Sequence, residues 1–128
     1  EIEMALDTEQ PSIGYQLGRL FAAFEKTQED ANGKATIQQS YYSAASCSPV
    51  VAFSTLTRLN KHHLSKLEKE SYGLAVVRKK TIGEIMSHID DFTAHLDLHE
   101  QGCFAIGYYH QMQDFFTKKE EKNNGKGE

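Results

Sequence analysis

Apolar residues recur along this chain at helical spacing from end to end, and strand-like alternation is absent. Leu17, Leu20, Phe21 and Phe24 fall on one face of a helix predicted over about 11–31. Ser12 stands in N-cap position before it, and Gly33 supplies the left-handed residue that stops it. Gly14 and Gly18 lie one turn apart on one face. Each costs a helix about 1 kcal/mol, so the pair predicts close approach of another backbone. A short second helix is expected over about 36–46, with Thr36 and Gln39 at capping-box spacing. A long third helix is expected over about 49–70. Ser48 caps it, Pro49 takes its first turn, and Val50, Phe53, Leu56, Leu59, Leu64 and Leu67 form its buried stripe, with Gly73 ending the segment. The fourth is expected over about 74–91 with Val77, Ile82, Ile85, Met86 and Ile89 inward. The fifth is expected over about 98–119, opened by an Asp97/Glu100 capping box.

The predicted fold class is therefore all-α, a compact bundle of about five helices with no sheet. One domain over 1–119 is followed by a polar, glycine-containing tail, 120–128, expected to be disordered. Residues before Leu6 are expected to fray. The length of 128 residues suits one core, and no repeat at solenoid period is present. No run approaches the ~20 apolar residues of a membrane span, so the default location is cytoplasmic. Cys47 and Cys103 are far apart and form no CxxC pair; in a reducing compartment they act as free thiols.

Net charge is −4, which on its own argues against nucleic acid. Its distribution argues the other way. The segment 58–80 holds Arg58, Lys61, Lys66, Lys69, Arg78, Lys79 and Lys80 against Glu68 and Glu70, so it carries +5 and the remainder −9. On a wheel of about 100° per residue, Arg58, Lys61, His62, Lys66 and Lys69 share an arc of about 140°, with leucines opposite. Cations on each turn can follow a phosphate backbone, and Asn60 and Ser65 could add neutral hydrogen bonds. Arg78, Lys79 and Lys80 follow soon after a turn and could join the same patch. A solvated helix face is the bland alternative. No spacing suggests base-specific reading, so binding would be sequence-blind and salt-dependent.

Catalytic and metal patterns are poorly supported. His62 and His63 point about 100° apart and cannot share a metal from one helix face. Asp97, as a cap, interrupts the helical geometry between His95 and His99, which weakens a His95/Asp97/His99 zinc site. Asp90 and Asp91 would need further carboxylates to serve a nuclease. Cys103 and His110 lie two turns apart, beyond hydrogen-bond reach. Of Tyr108 and Tyr109, and likewise Tyr41 and Tyr42, one core and one rim residue is the expectation, with base stacking the alternative. Neither a catalytic residue, a cofactor nor a metal is assigned.

Four blocks occur in order: LGRLFAAFEKTQEDANGK from Leu17, YYSAAS before Ser48-Pro49, HHLSKL from His62, and QGCFAIGYYHQ within Leu98–Phe116. Together they closely resemble the C-terminal region of the large subunit of the type I-C CRISPR Cascade complex, which is also made separately as the small subunit. Met4-Ala5-Leu6-Asp7 would suit an internal start for the latter. The resemblance implies a non-catalytic helical subunit of an RNA-guided DNA surveillance complex that stabilises the guide–target R-loop. It implies partners among the Cascade backbone subunits, the large subunit and a second copy of the chain, with the guide RNA–target DNA duplex and the displaced strand. The expected nucleic-acid-binding residues are Arg58, Lys61, His62, Lys66, Lys69, Arg78, Lys79 and Lys80. Gly14, Gly18 and exposed parts of the first and fifth helices are candidates for neighbour contacts. The alternative is the large subunit's C-terminal domain acting as a protein–protein bridge without touching DNA.

Overall fold

Every residue from Gly14 to Phe24 is buried, so the first helix is sheathed on all sides. This computed structural model describes residues 5–126, with side chains to Lys118. Its five helices are α1 (Ile13–Asn32), α2 (Ile37–Cys47), α3 (Pro49–Glu70), α4 (Tyr72–Met86) and α5 (Leu98–Lys126), and no strand occurs among the described residues. All four other helices pack on α1, and α5 does so most extensively. The core joins Leu17, Leu20, Phe21 and Phe24 of α1 to Phe53 and Leu56 of α3, Ile85 of α4 and Phe104 and Phe115 of α5. Phe21, Tyr42, Phe104 and Tyr108 meet edge-on at its centre, an arrangement that adds to their area burial.

The ends of α1 follow the local code. Ser12 Oγ accepts from Tyr15 N at 3.1 Å, and Gly33 turns left-handed at φ 85°. Elsewhere, long-range partners replace local caps. Thr36 makes no side-chain cap; Gln28 Oε1 accepts from Thr36 N and Ile37 N instead, at 2.8 and 3.2 Å. Ser48 makes no side-chain cap for α3, and Val50 N donates to Thr93 O at 3.0 Å. Half of the α5 capping box forms, Glu100 N donating to Asp97 Oδ1 at 2.8 Å, while the Glu100 side chain turns to α1.

Several boundaries move. α3 stops at Ser71 rather than Gly73, which lies inside α4. α4 ends at Met86, short of Asp91, because the chain turns there and returns Ile89, Phe92 and Leu96 to the core, Phe92 stacking on Phe53 at 5.3 Å. Val50, Val77 and Met86, expected inward, are exposed. α5 continues to Lys126, past the expected end at Lys119; residues 1–4 and 127–128 lie outside the described residues. Gly14 and Gly18 face this chain's own α5, not a neighbouring subunit. A Cβ on Gly14 would overlap the carbonyl oxygen of Glu100, one on Gly18 that of Phe104, and one on Gly107 of α5 that of Tyr15.

Candidate nucleic-acid interface

The outer face of α3 carries Arg58, Lys61, His62, Ser65, Lys66 and Lys69, all exposed. Phe53, Leu56 and Leu67 turn the opposite face into the core and so fix the direction in which the cations point. From Arg58 to Lys69 the helix advances about 16 Å, a length that spans several phosphates. Arg58, Lys61 and Lys69 enter no ion pair among the described residues. The Lys66 ammonium donates to Asn32 Oδ1 at 2.9 Å, a neutral partner that leaves its charge uncompensated. His63, beside this strip, has its pKa lowered first by burial and then by the neighbouring His62 and Lys66.

The α4 cations do not extend the strip as a single patch. Arg78 Nε donates to Asp30 Oδ2 of α1 at 2.6 Å, both side chains being largely buried, and its guanidinium lies 5.0 Å from the centre of the Phe115 ring. Lys79 forms an ion pair with Glu68 of α3, and the hydrogen bond to that carboxylate raises the Lys79 pKa. Lys80 opens onto a different groove, shared with Arg19, Glu84, Asp114 and Lys118. Asn60, placed among the neutral phosphate donors, is a correction. It sits about 200° from Arg58 on the wheel, on the core side, and is 6% exposed with Oδ1 unpartnered.

Other sequence candidates separate. His95, Asp97 and His99 do not converge on a common point, and Cys103 lies by His99 while His110 Nδ1 pairs with the Tyr15 hydroxyl at 2.7 Å. Both cysteines are free. Tyr108 donates to Glu25 Oε1 at 2.7 Å, and burial followed by that carboxylate raises its pKa, while Tyr109 stays exposed. Tyr41 and Tyr42 both pack against the core.

Two features escaped the wheel. Arg19 is 1% exposed, its Nε donating to Gln111 Oε1 at 2.9 Å, one terminal nitrogen to Gln16 Oε1 at 2.8 Å and the other to Glu84 Oε1 at 2.6 Å. The signal was there: one arginine inside the apolar run LGRLF. The second is an apolar stripe on the outside of α5. Leu98, Ile106, Tyr109 and Phe116 are 84, 51, 46 and 59% exposed, and Gly102 and Ala105 lie between them.

No helix among the described residues is long and apolar enough to cross a membrane. Residues 1–116 match the CRISPR-associated protein family Cas_Csd1. No curated protein matches the chain.

Proposed function

The chain belongs to the Csd1 family of CRISPR-associated proteins, and from this we propose that it is a non-catalytic subunit of a type I-C Cascade surveillance complex, holding the displaced DNA strand of the R-loop. The observation that carries the reading is the exposed strip Arg58, Lys61, His62, Lys66 and Lys69, whose lysines and arginine have no acidic partner among the described residues. Such a strip suits a sugar–phosphate backbone and carries no base-reading pattern, consistent with guide pairing doing the recognition. Arg78 and Lys79, already matched by Asp30 and Glu68, serve the bundle first; Lys80 belongs to a separate groove.

The test is retention of target DNA by the assembled complex carrying Lys61→Glu, Lys66→Glu and Lys69→Glu together. Each single-strand phosphate contact contributes about −0.7 to the slope of log affinity against log salt. The wild type should show a slope near −2 or steeper in this region. The triple variant should lose at least ~10-fold in retention and flatten the slope, with its helicity unchanged. Unchanged retention at moderate salt removes α3 from the DNA path.

The α5 stripe favours a second reading, in which the chain bridges protein neighbours: backbone subunits, the large subunit or a second copy. Leu98, Tyr109 and Phe116 on one exposed face supply apolar area that a partner helix could cover, and Gly102 and Ala105 would let it approach closely. Crosslinks from Lys61 and Lys69 to protein alone, never to the displaced strand, would make bridging the whole role.

A further inference from the structure

We propose that His99, Glu100 and Cys103, at the start of α5, form a site for a soft divalent cation of the zinc class. His99 and Glu100 are adjacent, but Cys103 falls between them on the wheel, and the three side chains each offer one ligand atom, all within 4.8 Å of one another. His99 Nε2 and Cys103 Sγ, one helical turn apart, are separated by 3.7 Å. A tetrahedral zinc with S and N ligands at about 2.3 and 2.1 Å spans about 3.6 Å between them. The pair is therefore set at the chelate bite before a metal arrives.

Glu100 completes the set in a fixed orientation. Its Oε1 accepts from Ser12 Oγ at 2.6 Å and from Gly14 N at 2.8 Å, which fixes the carboxylate while leaving it lone pairs for a metal. An outer shell of this kind holds a metal-binding carboxylate in place. One thiolate, one imidazole and one carboxylate make a mixed soft–borderline donor set that suits zinc or cobalt better than magnesium or calcium. His99 is exposed and the other two half-buried, so a solvent water can take the fourth position. Coordination requires the thiolate; the Cys103 proton leaves to solvent as the metal–sulfur bond forms. Bound metal would tie the first turn of α5 to the N-terminus of α1, the contact that Glu100 already makes.

The experiment titrates Co2+ into the full, tag-free, reduced chain. One equivalent should produce a thiolate-to-cobalt charge-transfer band with the intense visible bands of a four-coordinate ion, and Zn2+ should displace it. The band should vanish in Cys103→Ser, weaken at least ~10-fold in apparent affinity in His99→Ala, and persist unchanged in Cys47→Ser and His95→Ala. A wild-type protein without the band, or a band that survives Cys103→Ser, overturns the site. A second measurement needs no variant: one equivalent of Zn2+ should slow alkylation of Cys103 at least ~10-fold and leave Cys47 untouched. Equal protection of both thiols, or of neither, also overturns it. Neither readout depends on DNA, so failure here leaves the α3 reading standing.

Discussion

The α1–α5 seam and the outer face of α3 use polar residues in opposite ways. In the seam, no buried side-chain polar atom among the described residues lacks a partner. Arg19 is divided among Gln16, Gln111 and Glu84, and Glu100 caps α1 from another helix. Glycines at 14, 18 and 107 bring the two backbones together. On the outer face of α3, Arg58, Lys61, Lys66 and Lys69 repeat along the helix and form no ion pair among the described residues. A group sealed from water has to be satisfied internally or it destabilises the fold, whereas an exposed ammonium is solvated and remains available. The difference separates an arginine spent on the fold from cations left in contact with solvent.

The comparison breaks most sharply at Gly18. Valine there would force its branched side chain into the Phe104 carbonyl and part α1 from α5. We expect destabilisation of about 4 kcal/mol or more, measured by urea unfolding; a loss below ~1 kcal/mol would mean that the seam is loose.

Next is Arg19→Ala, which strands the buried acceptors of Gln16 and Gln111. At about 1–3 kcal/mol for each buried group left unmade, a total near 3 kcal/mol is expected, with little change in DNA retention. Arg19→Lys should recover only part, because an ammonium cannot present the guanidinium fork to three partners at once.

The smallest effect sharpens the other side. The His63 pKa lies below its ordinary value, so its neutral form is the one that folding favours. That contribution is fully present above the unfolded value of 6.5 and is lost as pH falls below it, through the depressed folded value. Unfolding at pH 7.5 and 5.5 should therefore show wild type losing slightly more stability than His63→Gln. Phosphates laid along α3 would offset the positive potential from His62 and Lys66, so added DNA should move the His63 titration upward by NMR. An unmoved titration would place the strand elsewhere.

Much of this was legible locally. Ser12, Gly33 and Pro49 mark helix ends by their own backbone chemistry, and the Gly14/Gly18 spacing announced a close backbone. The arc from Arg58 to Lys69 follows from helical period alone. Asn60 was misplaced, although the same wheel puts it on the buried side. What periodicity could not reach were pairings across the chain. Gln28 replaces the Thr36 cap, Asp30 takes Arg78 across 48 residues, and Glu100 reaches back 86 to Gly14.

By itself the sequence determined the five helices, most of their apolar faces and the row of cations on α3. Those depend on backbone hydrogen bonding and side-chain spacing over a few turns. Only the tertiary structure decided which charges stay free, because neutralisation falls off within a few ångströms and depends on which helices meet. It turned Arg78 inward onto Asp30 and left Arg58, Lys61 and Lys69 facing water.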